Sequence, residues 1–308
     1  MILLGEHAVV YGAPALALPV PELTVTASAA LSPHPSAEPG DVTFTVAGES
    51  GPVAMEASDG LRRLVAEFKE TTGVSGGPHV DVLVDCGIPA GRGLGSSAAC
   101  ARAVVLALAD LYGVTLDPGS IFDLVQVAEN VAHGRASGID TLVTGSPFPV
   151  LLSGGFAREP RIGFDGAVVV ADCGVAGRTK DAVELLRRRF AREPHTRADF
   201  VRRATELTRA AVRDLAAGRD ADFGARLTDC HALLAGVGVS TDRIDTLVEA
   251  AHAAGALGAK ISGGGLGGCM IALAGDAERA RQTASRLSAA GAVRTWIVPV
   301  ERFTGHAR

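Results

Sequence analysis

The segment "GRGLGSSAAC", Gly91 to Cys100, sets glycines at positions 91, 93 and 95 and two serines behind them, then runs straight into an apolar, alanine-rich stretch. Few backbones accept that pattern. Glycine tolerates positive φ and lets a ligand approach the main chain closely, and "SSAACARAVVLALADLYG" predicts a helix from about Ser96 to Tyr112. The loop therefore ends on a helix N-terminus. Unpaired N–H groups and the positive end of the macrodipole favour an anion there, with phosphate the natural guest. The same residues also read as a glycine-rich turn with Ser96 or Ser97 as an ordinary N-cap.

Spacing excludes two better-known phosphate loops. A Walker A loop needs a Gly-Lys-Ser/Thr end, and no lysine lies near Gly91. The dinucleotide fingerprint needs its third glycine three residues after the second, whereas Gly93 is followed by Gly95 and Ser96. Gly263, Gly265 and Gly268 in "KISGGGLGGCMIALAG" fit that spacing better, yet they lead into a strand-like run instead of a helix.

At 308 residues the chain exceeds the size at which one core keeps growing, so two domains are expected. A net charge of −5 gives no strongly basic surface, which argues against a nucleic-acid partner. The five cysteines are odd in number and include no CxxC pair, so a reduced, cytoplasmic compartment is expected. No run of eighteen apolar residues occurs, and "MILL" is followed at once by Gly5, Glu6 and His7. Neither a signal peptide nor a membrane span is expected.

Along the chain, "PELTVTASAALS" and "DVTFTVAG" alternate as antiparallel strands do, with the turn-rich "PHPSAEPG" between them. Helices are predicted near Asp59 to Thr71 and from about Ser120 to His133, and "VDVLVDCGIP" is a strand delivering the chain to the glycine loop. A composition change around residue 157 suggests a domain boundary. Beyond it come the strand "AVVVADCG", three or four helices over Lys180 to Ala254, strands at "GAKISG" and "CMIALAG", a helix from about Asp276 to Ala290, and the strand "AVRTWIVPV". Strands and helices mix without βα regularity, which favours α+β over a doubly wound sheet.

Three glycine-bearing segments stand out jointly: "GEHAVVYGAPALALPV" from Gly5, "IPAGRGLGSSAAC" from Ile88 and "KISGGGLGGCMIAL" from Lys260. In this order and at these separations they resemble the signature segments of the GHMP kinase superfamily. Within it, "GEHAVVYG", "PALA" and "HGRASGID" are similar to mevalonate kinases. The resemblance implies an α+β two-domain GHMP kinase fold, with a ribosomal S5 domain 2-like N-terminal domain over 1–157 and a ferredoxin-like C-terminal domain over 158–308. It implies an ATP-dependent enzyme that phosphorylates the primary hydroxyl of mevalonate in isoprenoid biosynthesis. Phosphomevalonate or a sugar as acceptor, and a non-catalytic nucleotide-binding relative, are the alternatives. A homodimer is one candidate assembly.

Site residues follow from the same resemblance. The phosphates of ATP fall to Pro89, Gly91, Arg92, Gly93, Leu94, Gly95, Ser96 and Ser97 and to Gly263, Gly264 and Gly265. Mg²⁺ needs hard oxygen ligands beside those phosphates, and Ser97 and Glu129 occupy the similar positions. Asp140 matches the catalytic aspartate, which orients the acceptor hydroxyl and accepts its proton. Glu6, His7 and Thr179 match substrate-contacting positions. Each has a plainer reading: Glu129 as a solvated helix residue, Asp140 as an N-cap, His7 as a satisfied buried histidine, and the third glycine segment as a hairpin connection.

Relatives in this superfamily begin with a strand similar to "APGK", whose lysine pairs with the aspartate and the transferring phosphate. Here Met1 stands just after that position, and Arg135 and Ala136 replace a usual Asn-Pro. Either the chain continues upstream or the enzyme works without that cation, at a cost of a few kcal/mol of barrier.

Overall fold

The computed structural model describes residues 1–32, 42–47, 53–55, 59–74, 78–134 and 136–303. Arg135 and the turn-rich loop expected over 33–40 lie outside the described residues. The chain packs as two compact units: Met1–Pro21 with Gly91–Leu94 and Ser146–Arg308 form the first, and Glu22–Ala90 with Gly95–Gly145 form the second. The boundary expected near residue 157 falls on a strand inside the first unit, because the N-terminal segment and the glycine loop pack with the C-terminal half of the chain.

Taken in chain order, the first unit opens with β1 (Ile2–Leu4) and β2 (Ala15–Ala17), which pair antiparallel. The second unit follows with β3 (Val25–Leu31), β4 (Val42–Ala47), β5 (Val53–Met55), α1 (Asp59–Thr72), β6 (Val80–Cys86), α2 (Ser96–Leu111), α3 (Pro118–His133) and α4 (Ile139–Thr144). Its sheet runs β3-β6-β4-β5, with β4 and β6 parallel and the other neighbours antiparallel. Alternate β6 residues Val80, Val82 and Val84 point into a core shared with Phe44, Leu64 and Phe68. From α2 come Ala98, Ala101, Val104, Val105 and Leu108. The alanines bring the first turns of α2 close to the sheet, so the helix N-terminus sits where β6 ends.

The helix α3 starts two residues before the sequence-based expectation of Ser120, because Asp117 caps it and Pro118 takes its first position. The Asp117 carboxylate accepts from the amides of Gly119 at 2.8 Å and Ser120 at 3.1 Å.

The first unit resumes with β7 (Val150–Ser153), β8 (Phe156–Arg158) and β9 (Ala167–Asp172), and β7 and β8 extend the small sheet to β1-β2-β7-β8. Four helices follow, α5 (Thr179–Arg192), α6 (Pro194–Ala216), α7 (Asp220–Gly236) and α8 (Asp242–Ala253). The chain ends with β10 (Gly258–Ser262), β11 (Cys269–Ala274), α9 (Ala277–Ala289) and β12 (Arg294–Pro299). The sheet order β10-β11-β9-β12, antiparallel throughout, is the split βαβ arrangement of ferredoxin-like domains. Every residue of β9, β10 and β11 is buried, and β9 lies between β11 and β12.

Helix α7 meets β10 backbone to backbone. A Cβ at Gly258 would overlap the Gly224 carbonyl, whereas one at Gly236, at the end of the same helix, would meet nothing within 4 Å. Gly258→Ala is therefore expected to destabilise the protein by about 2 kcal/mol or more through overpacking. Gly236→Ala should be neutral or stabilising by up to about 1 kcal/mol. Urea unfolding of both variants checks the contrast.

Candidate active site

The glycine loop adopts the backbone its sequence demands. Gly91, Gly93 and Gly95 all have positive φ, at 68°, 73° and 75°. In the first unit, Gly93 lies against the third glycine segment: a Cβ on it would sit 2.9 Å from the Ser262 carbonyl and 3.1 Å from Gly263 Cα. Main-chain bonds lock the arrangement, with Gly177 N–H donating to Gly91 O at 2.7 Å, Arg178 N–H to Gly265 O at 3.1 Å and Cys269 N–H to Arg92 O at 3.1 Å. The Arg92 guanidinium is held by Asp172 at 3.0 Å, so this side chain anchors the loop to the end of β9. Residues Gly263–Gly268 join β10 to β11, so they also form the hairpin connection of the plainer reading.

Thr179 opens α5 beside the same segment, where a side chain at Gly264 would collide with its Oγ1. The His7 imidazole bonds the Gly264 backbone. His7 has φ of 57°, uncommon for a non-glycine residue. Burial of its ring, joined by the charge of Lys260, lowers its pKa to about 4, and its Nε2 is shielded without a partner. It is a neutral imidazole with one nitrogen to spare, not a satisfied core histidine. Glu6 is 3% exposed and its Oε1 accepts from Lys260 Nζ, while Lys260 itself is fully buried in β10 and also donates to Ile261 O. Sequence reasoning overlooked Lys260. The signal was present, because a lysine inside the apolar strand "GAKIS" must carry a buried partner.

The second unit gathers Ser97, Glu129 and Asp140. The N-cap of α2 is Gly95, not Ser96 or Ser97, and no side chain caps the helix. The reason is conformational, since the position needs positive φ. The first intrahelical bond runs from Ala99 N–H to Gly95 O, which leaves the amides of Ser96, Ser97 and Ala98 ahead of the helical ladder. Ser97 is exposed, Ser96 is half-buried, and Pro89 and Leu94 border the loop half-buried and buried respectively.

Glu129 is 3% exposed, so it is no solvated helix glutamate. Its pKa rises to about 7, pushed up by burial against the pull of a hydrogen bond from Ser97, with the neighbouring charge of Asp140 adding to the rise. Asp140 does not cap α4, because Gly138 does, without a side-chain bond. Burial raises the Asp140 pKa as well, and its Oδ1 is shielded without a partner. A Cβ at Gly95 would stand 3.5 Å from that oxygen, so Asp140 lies beside the N-cap of α2. The turn that delivers it is braced on α3: Asn130 Oδ1 accepts from Ala136 N–H at 3.0 Å, and Thr141 Oγ1 donates to Gln126 at 2.7 Å.

A buried carboxyl, a half-buried one with a shielded oxygen, a serine hydroxyl and a row of helix-start amides are complementary to a phosphate–metal pair. No group of three or more His, Cys, Asp or Glu that could hold a metal occurs among the described residues. Mg²⁺ does not require one, because it is bound through one or two carboxylates plus waters and substrate phosphates. The orphaned Asp140 oxygen and the raised Glu129 pKa mark a place where a cation would satisfy what the protein leaves unsatisfied, so the residues fit the ion.

Residues 60–145 match the GHMP kinase N-terminal domain and residues 211–293 the GHMP kinase C-terminal domain. The chain belongs to the GHMP kinases. It is 32% identical over 310 residues to a mevalonate kinase of Pyrococcus abyssi, covering 94% of this chain and 90% of that one. It is likewise 32% identical over 311 residues to a mevalonate kinase of Pyrococcus furiosus, covering 94% and 91%. In fold it matches the crystal structure of L. major mevalonate kinase in complex with R-mevalonate, with a TM-score of 0.81 at 22% identity over 100% of this chain and 94% of the other.

The Glu129 carboxyl has a testable consequence for stability. Its folded pKa of about 7 lies above the ordinary value of 4.5, so between those pH values the folded state holds a proton that the unfolded state has released. Stability of the ligand-free protein therefore falls as pH rises through that window. Thermal unfolding at pH 5 and pH 8 should show Glu129→Gln more stable than the parent at pH 8 and level with it at pH 5. Equal melting at both pH values would contradict the assignment.

Proposed function

We propose that the chain transfers the γ-phosphoryl group of ATP to the primary 5-hydroxyl of mevalonate, as a step of isoprenoid biosynthesis. The observation that carries the reading is the Asp140 carboxylate with an unsatisfied oxygen beside the N-cap of α2, set in a chain whose near full-length relatives are mevalonate kinases.

Within the second unit, the amides of Ser96, Ser97 and Ala98 receive phosphate oxygens at the positive end of α2. Ser97 and Glu129 would hold Mg²⁺, whose positive charge offsets that of the phosphate oxygens. Asp140 orients the hydroxyl and takes its proton as the phosphoryl group moves. Its raised proton affinity suits a base that must hold a proton, since a carboxylate at the ordinary value is a weaker acceptor.

Within the first unit, the roles fall to main chain and to neutral groups. Gly91, Arg92 and Gly93 with Gly263, Gly264 and Gly265 offer backbone approach to phosphate, Arg92 through its main chain because its guanidinium is committed to Asp172. His7, with a free nitrogen, and Thr179 contact the acceptor, and Glu6 acts with them as the partner of Lys260. The cytoplasm is the proposed compartment: all five cysteines are free thiols.

ADP release with Mg·ATP and a panel of mevalonate, phosphomevalonate, galactose and homoserine tests the acceptor. Turnover is expected with mevalonate alone. Asp140→Asn should lower that turnover at least about 100-fold while nucleotide affinity is retained. A different acceptor preferred over mevalonate would overturn the substrate, and an active Asp140→Asn enzyme would overturn the base.

A further inference from the structure

Five cysteines divide sharply by environment. Cys173, Cys230 and Cys269 are buried, and burial pushes the Cys230 thiol up to about 12 and the Cys269 thiol up as well. Cys86 and Cys100 are half-buried and lie in the second unit. Cys86 is the last residue of β6, in the same parity as Val80, Val82 and Val84, so it faces the helices. It is pinned opposite Val25 of β3, and its Sγ lies 3.3 Å from Ile88 O. Cys100 stands in the first turns of α2, packed against the core that those valines build. The Cys100 thiol donates a hydrogen bond to the Cys86 sulfur.

The chain between these two residues is the glycine loop. One sulfur thus stands at the end of the strand that delivers the loop, and the other three residues beyond Ser97 on the helix that receives phosphate. We propose that Cys86 and Cys100 are a reversible oxidation site, whose disulfide closes the chain around the glycine loop and weakens nucleotide binding.

Peroxide is the oxidant the chemistry calls for. The Cys86 thiolate attacks one peroxide oxygen, the O–O bond breaks, and the sulfur becomes a sulfenic acid while the other oxygen leaves as water after protonation. The Cys100 sulfur then displaces the hydroxyl from that sulfenic acid, its own proton leaving with the hydroxyl as the second water. Two thiols lose two electrons and two hydrogens, and one peroxide becomes two waters. The roles are assigned by the hydrogen bond between them: accepting from Cys100 pulls the Cys86 thiol down and donating pushes Cys100 up, so Cys86 is the first of the two to ionise and attack. Once Cys86 is oxidised, that charge is gone and the Cys100 proton is no longer held.

Thiols within hydrogen-bond reach need to close by about 2 Å to reach an S–S bond of about 2.05 Å. That movement pulls the first turns of α2 toward β6. The amides of Ser96 and Ser97 ride on those turns, and misplacing a positioning group by about 1 Å can cost a factor of about 100. In a reducing compartment such a bond is transient, which is how cytosolic disulfides serve as sensors.

The test uses the intact protein, one equivalent of hydrogen peroxide, non-reducing peptide mapping by mass spectrometry, and titration with a fluorescent ATP analogue. Expected are a Cys86–Cys100 cross-linked peptide and at least an about tenfold loss of nucleotide affinity, both reversed by dithiothreitol. Cys100→Ser should keep its affinity under peroxide and accumulate a dimedone-reactive sulfenic acid at Cys86. The proposal is overturned by a cross-link to another cysteine, by Cys86 oxidised to sulfinic acid with Cys100 still alkylatable, or by cross-linked protein that binds nucleotide unchanged. An equal loss of affinity in oxidised Cys100→Ser also overturns it. None of these readouts involves an acceptor, so they stand apart from the mevalonate assignment.

Discussion

Backbone laid directly on backbone is the constraint from which the rest of the first unit follows. At Gly93 and Gly263 each main chain occupies the space a Cβ of the other would need, and a Cβ on Gly263 would come within 2.6 Å of Gly93 Cα. Gly267 is closed in the same way by the Ala176 carbonyl at 2.7 Å. Such contacts have no slack. They fix the glycine loop, the β10–β11 connection and the start of α5 as one set, and with them the places of His7 and Thr179. Any side chain at these glycines meets carbonyls or Cα atoms and not the flexible end of a neighbour.

Charge is handled oppositely in the two units. In the first, Lys260 and Glu6 are both buried and paired. A buried pair contributes little net stability against a hydrophobic alternative, while losing one partner costs about 3–5 kcal/mol, so its value lies in position: it ties the segment "GEH" to β10. In the second unit, buried Glu129 and half-buried Asp140, its Oδ1 shielded, are close enough for their charges to interact, and the proton affinity of both is raised. That is an unstable arrangement for a resting core. Under the proposed function, phosphate and a cation would arrive there together, the amides of α2 meeting one and the carboxylates the other.

Much of this was legible in the residues. Alternating patterns in "TVTASAAL" and "VDVLVDC" became β3 and β6, and the helix read from Ser96 ends within a residue of its expected end. Asp140, Glu129 and Ser97, which the motifs single out, lie beside one another in the second unit. The failures have physical causes. A serine after a glycine run looks like a cap, yet positive φ at the cap position is a glycine property. The partner of Lys260 lies at the other end of the chain, and no local pattern encodes a long-range ion pair. The same holds for Gly91–Leu94, which packs with segments far away in sequence although its flanks belong to the other unit.

The most direct measurement is the proton balance of Mg·ATP binding. Isothermal titration at pH 7 in buffers of different ionisation enthalpy reads the protons exchanged when ligand binds. A carboxyl with a pKa of about 7 is half protonated there, and a cation beside it expels that proton. Net proton release is expected for the parent protein, and a marked reduction of it in Glu129→Gln. Binding of Mg·ATP with no proton released, or with the same release in Glu129→Gln, would contradict the placement of nucleotide and metal at the start of α2.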